Sequence, residues 1–262
     1  MHYDYRQNVA DYYDRFSGPP WDDIGFYRSR LPGPDARVLE LGCGTGRVLL
    51  PLAEHVALIY GLDISPAMLA ICDKKLEASD LPAGRAKTLC ADITDFDLTH
   101  EEAKFDLITA PFRVMQNLET DAQVDGMMRS IRKHLAPGGE AVLNTFRPRG
   151  GYEALKAFWS KRDGTTPCWT RPDGEYTLSM ADDCTVFQED PVAVFPRLIY
   201  RRHDKAGDLI DEQVLEIVMR VWQPDELVAL VERHGFTLKH RFGGYEGEAW
   251  ADGPELVVSF TH

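Results

Sequence analysis

Three glycines at alternate positions, Gly42, Gly44 and Gly46, stand between the apolar run Val38-Leu39-Glu40-Leu41 and a stretch of helical character from Arg47 to His55. Glycine in such a turn permits positive φ and lets a ligand approach the backbone. A helix start behind it would add unpaired N–H groups and partial positive charge. The spacing G-x-G-x-G departs from the dinucleotide fingerprint G-x-G-x-x-G, and no Gly-Lys-Ser/Thr follows to make a Walker loop. Two carboxylates define the charge this turn would tolerate. Glu40, two residues before the first glycine, would repel a pyrophosphate and suit an ammonium group; its alternative is to cap local backbone donors. Asp63 closes a second apolar run in Gly61-Leu62-Asp63-Ile64-Ser65. From there a carboxylate can accept from both hydroxyls of a ribose, in charge-assisted bonds of about 1.5–3 kcal/mol each.

The ligand so described is a nucleoside carrying positive charge in place of phosphate. S-adenosylmethionine, with adenine, a free ribose, an ammonium and a sulfonium, has that chemistry. The elements that must position it are readable too. Val38–Leu41, Ala57–Leu62, Lys87–Cys90, Phe105–Ala110 and Glu140–Phe146 read as strands. Pro66 suits the first position of a helix over 66–78, with Met68, Leu69, Cys72 and Leu76 on one face. Thr120 and Gln123 form a capping-box pattern ahead of Val124, Met127, Met128, Ile131 and Leu135 at helical spacing. Strands alternating with helices imply crossover units and a mostly parallel sheet.

The pattern changes near Arg147. Residues 175–221 hold three β-like stretches. Among them Leu209–Val221 alternates, with Leu215, Ile217, Met219 and Val221 to one side and Glu216 and Arg220 to the other. Asp204–Gly207 reads as a hairpin turn. The α/β pattern resumes with a helix from Pro224 to Gly235 and strands over Phe236–Phe242 and Leu256–Thr261.

Composition narrows the partners. The 262 residues carry 29 Lys and Arg against 42 Asp and Glu, a formal charge of -13, which disfavours nucleic acid and anionic membranes. No apolar run reaches the length of a spanning helix, and Met1–Ala10 lacks the apolar core of a secretory leader. Five scattered cysteines (Cys43, Cys72, Cys90, Cys168, Cys184) make no C-x-x-C pair, so no metal site is expected and reduced thiols in a cytoplasmic setting are. His134 and His234 lie near helix C-termini, where a cation suits the dipole. Trp159, Trp169, Tyr152 and Tyr176 either shape a pocket or build the core of the insertion. Arg197, Arg201, Arg202 and Lys205 read as a solvated strand face.

Val38–Gly46 resembles the first motif of the class I S-adenosylmethionine-dependent methyltransferases, in their small-molecule branch. Gly61–Leu69 is similar to the second motif, Cys90–Phe96 to the third, Phe105–Arg113 to the fourth, and Leu135–Gly139 to the turn before the fifth strand. The resemblance covers residues 36–146 closely and 223–262 more loosely. It implies that Gly42, Gly44 and Gly46 pass the cofactor's methionine end, with Glu40 and Cys43 in the same segment. Asp63 would take the ribose, Ile64 flank the adenine, Asp92 reach its amino group and Ile93 pack on its ring. Ala110 and Pro111 would present backbone at the methionine amine, with Met68 and Tyr13 completing the cofactor set. Tyr12–Phe16 resembles the aromatic lid of related proteins. Where many members carry His this chain has Asn117, which counts against a histidine base there.

The expected fold is α/β: a Rossmann-like seven-stranded mixed sheet, order 3-2-1-4-5-7-6, with helices on both faces and an antiparallel β insertion. Residues 1–34 would form a helical lid, 35–146 and 222–262 the cofactor-binding core, and 147–221 a substrate cap. The expected reaction is methyl transfer to an N or O nucleophile of a small molecule. No residue stands out as a general base, which favours an amine or an already acidic hydroxyl. Arg113, Gln116, Asn117 and Tyr245 are the substrate-side candidates. The chain would act as a monomer or homodimer. The alternatives are a non-catalytic module binding the cofactor or its demethylated product, a protein or RNA methyltransferase, and a nicotinamide oxidoreductase, the last disfavoured by the loop spacing.

Overall fold

A computed structural model describes residues 9–15, 22–98 and 104–262. Phe16 and much of the expected N-terminal lid lie outside these residues. Two short helices, α1 (Ala10–Asp14) and α2 (Asp23–Ser29), precede the first strand. The core then runs β1 (Arg37–Leu41), α3 (Leu49–Ala53), β2 (Leu58–Asp63), α4 (Pro66–Glu77), β3 (Ala86–Cys90) and β4 (Phe105–Ala110). A 3-10 turn at Val114–Asn117, α5 (Asp121–His134) and β5 (Leu135–Phe146) follow. After the insertion come α7 (Pro224–Arg233), β13 (Thr237–Phe242) and β14 (Glu255–Thr261), with α6 and β6–β12 between Tyr152 and Arg220.

The seven core strands lie in the order β13-β14-β5-β4-β1-β2-β3, which in core numbering is 3-2-1-4-5-7-6 read from the other edge. Strands β1 to β5 pair parallel, while β14 runs antiparallel to both β5 and β13. One apolar layer packs Val124, Met127, Met128 and Ile131 of α5 and Leu227, Leu230 and Val231 of α7 against the sheet. The other packs Tyr27, Val48, Leu49, Leu52 and Cys72 on the opposite face. Local signals agree with this packing. Thr120 Oγ1 accepts from the Gln123 N–H (3.3 Å), and Gln123 Oε1 accepts from the Thr120 N–H (3.0 Å), so the capping box closes as expected. A second box, Gln223 with Glu226 at the start of α7, went unread in the sequence.

The insertion is more divided than its pattern implied. It contains α6 (Tyr152–Trp159), β6 (Asp163–Asp173), β7 (Tyr176–Asp183), β8 (Phe187–Glu189), β9 (Val192–Val194), β10 (Arg197–His203), β11 (Leu209–Glu216) and β12 (Met219–Arg220). These strands form one sheet of order β11-β10-β7-β6 and another of order β12-β9-β8. The expected single strand over 209–221 breaks at Ile217–Val218 because Met219 and Arg220 leave β10 to pair with Val194 and Ala193. That break resets the alternation. Arg220, expected to face outward, is buried, stacks over Trp222 at 4.3 Å and pairs with Asp121 at 2.6 Å.

His134 also departs from its expected role as a cation at a helix end. It is fully buried and stacked on Phe96; its Nε2 accepts from the Leu98 N–H (2.9 Å), so its Nδ1 donates to Ser130 O (2.8 Å). Burial holds its pKa below the usual histidine value, assisted by Lys133 and Lys104. A lowered folded pKa means the unfolded chain binds more protons, so this contribution is complete above about pH 6.5 and is lost as pH falls through the folded value. Denaturant unfolding at pH 5.5 and 7.5 is therefore expected to show a larger acid loss for the wild type than for His134→Gln; equal losses would contradict the assignment. Among the described residues no helix is long and apolar enough to cross a membrane.

Candidate functional site

The carboxyl ends of β1, β2 and β4 meet at the glycine turn, where open α/β sheets place their ligands. Gly42, Gly44 and Gly46 have φ of +70°, +54° and +84°. The turn's own donors are largely consumed. Gly42 and Cys43 donate to Leu62 O, Gly46 donates to Cys43 O, and Gly44 donates to Asp63 Oδ2 at 2.8 Å. The helix behind the turn starts only at Leu49 and is five residues long, so the expected helix-terminus charge behind the glycines is not supplied. A loop with this bonding has few N–H groups left to hold a phosphate. What it offers is room: a Cβ on Gly44 would meet nothing within 4 Å.

Two buried carboxylates flank that room. Asp63 accepts from the Gly44 and Ser65 N–H groups (2.8 and 2.9 Å), which fixes the turn against the end of β2. Each oxygen keeps a second lone pair. Glu40 is buried, and its Oε2 has no hydrogen-bond partner among the described residues. Burial pushes its carboxyl well above the usual range, against the pull of Arg47. A carboxylate so placed is stabilised by any cation that reaches it. Arg47 itself is committed: both its terminal nitrogens donate to Asp23 at 2.7 Å, and it lies 5.2 Å over the Phe112 ring.

Of the remaining cofactor candidates, Asp92 uses Oδ1 to accept from Thr94 N–H and Oγ1 (2.8 and 2.7 Å), and Ile93 packs half-buried beside it. Ile64 is half-buried after β2, Cys43 is buried behind the turn, and Pro111 follows β4. Met68 and Ala110 are fully buried, which leaves Ala110 only its backbone to offer and turns Met68 into the interior.

The chain leaves β4 through a strained corner that the sequence reading missed. Phe112 and Arg113 both have positive φ, +54° and +66°, which non-glycine residues adopt rarely and at a cost of about 1–3 kcal/mol each. The Arg113 N–H donates to Asn144 Oδ1 (2.9 Å), and Asn144 Nδ2 donates to Glu255 Oε2 (3.0 Å). The Arg113 guanidinium pairs with the same, fully buried Glu255. Strain of this kind persists where surrounding contacts over-determine it, and it gathers at functional sites.

That corner opens on a cavity of about 630 Å³ between the core and the insertion. Its walls come from Phe112, Arg113, Gln116 and Asn117 after β4, Phe146 at the end of β5 and Arg147 behind it, Trp159 of α6, Trp169 of β6, Tyr200 of β10 and Tyr13 of α1. Arg113, Gln116, Asn117 and Tyr13 are thus brought together as lining residues. Gln116 has both ends of its amide committed, donating to Arg220 O (2.7 Å) and accepting from the Phe146 N–H (2.9 Å). Tyr245 is not brought there. It is buried on the other face of the sheet against Phe26 and Tyr27, because the 243–254 segment folds back and its ring gains more from that aromatic cluster. Trp159 and Trp169 line the cavity while Tyr152 and Tyr176 do not. Arg197, Arg201 and Lys205 of the expected solvated face pair with Asp183, Glu212 and Glu175.

Helix α1 ties these parts together. Tyr12 donates to Asp211 and Arg15 pairs with Asp173, both on the insertion sheet. Lys75 of α4 bonds both Asp14 and the Thr45 carbonyl in the glycine turn (3.1 Å to the latter). Burial and Asp211 push the Tyr12 phenol up to about 12, so it stays a donor at neutral pH.

Comparison with known proteins places this geometry. The family described as "Methyltransferase domain" matches residues 38–139. The protein YqeM of Bacillus subtilis (strain 168), provisionally named a methyltransferase, is 30% identical over 185 residues, 69% of this chain and 72% of that protein. The dTDP-4-amino-2,3,4,6-tetradeoxy-D-glucose N,N-dimethyltransferase of Saccharopolyspora spinosa is 31% identical over 147 residues. That alignment takes in 53% of this chain and 55% of the relative, so the chain spans about half the length of this curated relative. Among solved structures, the CcbJ methyltransferase from Streptomyces caelestis shares the fold with a TM-score of 0.73 at 24% identity, over 98% of this chain and 97% of that one.

Proposed function

We propose, for a chain that belongs to the class I S-adenosylmethionine-dependent methyltransferases, that it methylates an amine on a small molecule held in the cavity between core and insertion. The observation that carries this reading is the combination at the glycine turn: consumed N–H donors, open space at Gly44 and an orphaned buried carboxylate at Glu40. A phosphate-bearing dinucleotide would find neither donors nor a tolerant charge there. A nucleoside with a cationic amino-acid tail finds both room and a counter-charge. The residues present therefore fit S-adenosylmethionine, the cofactor of this family, with Gly44 at its backbone approach, Glu40 toward the ammonium, Asp63 at the ribose and Asp92 with Ile93 at the adenine.

When bound, that cofactor supplies a methyl carbon already activated by the sulfonium. The chain's part is alignment and exclusion of water. The strained Phe112–Arg113 corner, clamped by Asn144 and Glu255, stands between the glycine turn and the cavity. The insertion and α1 close the acceptor side, which supports a cap role for 147–221 and a lid role for α1. Amine is favoured over hydroxyl by what lines the cavity. Among the described lining residues the one carboxylate, Asp182, is paired with Arg162 at 2.9 Å, and there is no histidine. A hydroxyl needs a base of matched pKa, whereas an amine needs only to be neutral. The amine lone pair forms the new N–C bond, the C–S pair stays with sulfur, and the proton of the resulting ammonium leaves to solvent. The named relative from Saccharopolyspora spinosa, an amino-sugar N,N-dimethyltransferase, agrees with a nitrogen acceptor.

The test is radiolabelled methyl transfer to paired amine and alcohol acceptors. Label on amines alone is the expected outcome, and label on alcohols alone would overturn the acceptor class. In a separate calorimetric titration Asp63→Ala, which loses both the turn clamp and the ribose acceptor, should bind S-adenosylhomocysteine at least about tenfold more weakly. An unchanged affinity would remove Asp63 from the site.

A further inference from the structure

The cavity carries a charge opposite to that of the chain as a whole. Against a formal charge of -13, its lining among the described residues has four arginines, Arg113, Arg147, Arg149 and Arg162, and one carboxylate, Asp182. Two of the four are neutralised, Arg113 by Glu255 and Arg162 by Asp182. The other two are not. Arg147 donates to the main-chain carbonyls of Trp250, Asp252 and Gly253 (3.3 and 3.0 Å for the last two) and lies 5.7 Å over the Trp250 ring. Carbonyls and a ring face orient a guanidinium but leave its charge in place. Arg149, two residues further along the same wall, is exposed and has no partner among the described residues.

A guanidinium oriented in advance loses little freedom when it binds, and its planar donors match carboxylate and phosphate oxygens. Much of the remaining wall is apolar, and Phe146, Phe158, Trp159 and Trp169 give it an aromatic stretch. We infer that Arg147 and Arg149 form an anion subsite, so that the acceptor is an acidic small molecule whose phosphate or carboxylate is held after β5 while its apolar or ring portion lies along the aromatic wall. The same two charges favour the neutral form of an amine sharing the cavity. They therefore assist the deprotonation for which the described lining offers no free base. The nucleophile in this inference rests on the methyl-transfer reading; the anion subsite does not.

The two can be tested apart. Protein saturated with S-adenosylhomocysteine is titrated by calorimetry with phenyl phosphate, benzoate and the neutral benzamide, in the wild type, Arg149→Ala and Arg149→Glu. At least one anion should bind about tenfold more tightly than benzamide, with phenyl phosphate ahead if the group is a phosphate and benzoate ahead if it is a carboxylate. Arg149→Ala should reduce that preference and Arg149→Glu abolish it, with affinity for S-adenosylhomocysteine unchanged. Equal affinities for anion and benzamide, no anion binding below about 10 mM, or a preference that survives Arg149→Glu would overturn the subsite. Failure of S-adenosylhomocysteine to bind would instead strike the methyl-transfer reading, with the anion preference then measured on the protein alone.

Discussion

Glu255→Ala is expected to lower stability by about 3–5 kcal/mol, the cost of breaking a buried ion pair from one side. For a chain of this size that is a fall in Tm of roughly 6–20 °C. The carboxylate is fully buried and accepts from Arg113 and from Asn144 at 3.0 Å. Its removal leaves both donors without their acceptor. It also releases the clamp on two consecutive residues at positive φ, so the corner can relax away from the cavity. Glu255→Gln keeps an acceptor oxygen and a similar shape while losing the charge, and should fall between the two. Thermal unfolding followed by circular dichroism checks this. A shift below about 2 °C for Glu255→Ala would show that the corner does not depend on the pair.

The second large effect is a contrast between neighbouring glycines. Gly42→Ala should damage the fold. At φ +70° its Cβ would lie 2.6 Å from Val114 Cγ2, so backbone strain of about 1–2 kcal/mol adds to overpacking of about 1–3 kcal/mol. Gly44→Ala bears the same kind of backbone strain at φ +54°, yet its Cβ meets nothing within 4 Å. It should fold with a loss of only about 1–2 kcal/mol. Its methyl group would stand in the space assigned to the cofactor, so affinity for S-adenosylhomocysteine should fall at least about tenfold. Unfolding curves and calorimetry on both variants check the contrast. A stable Gly42→Ala, or a Gly44→Ala that binds normally, would misplace the cradle.

Legibility in the sequence followed the range of the interactions involved. The core helices and strands announce themselves because capping and apolar periodicity act within a few residues. Thr120 with Gln123, or Pro66 behind Ser65, is decided locally. The glycine turn and Asp63 were readable because one hydrogen bond, from the Gly44 N–H to the Asp63 carboxylate, links motifs that both flank strands of the parallel core. The corner at Phe112–Arg113 was not, since what holds it is Glu255, 142 positions away. Arg113 could be placed at the carboxyl end of β4, but its partner could not be named. Tyr245 failed for the same reason: its aromatic neighbours Phe26 and Tyr27 arrive from the opposite end of the chain. The insertion was read too coarsely because β6 and the β11–β12 break are set by strand pairing, and their residues carry no alternation that survives the break.

Binding at the glycine turn tests the whole account most directly. In a calorimetric titration of the purified chain, S-adenosylhomocysteine is expected to saturate a single site, while a nicotinamide dinucleotide at the same concentrations gives no binding heat. Saturable binding of the dinucleotide, with none of S-adenosylhomocysteine, would contradict it.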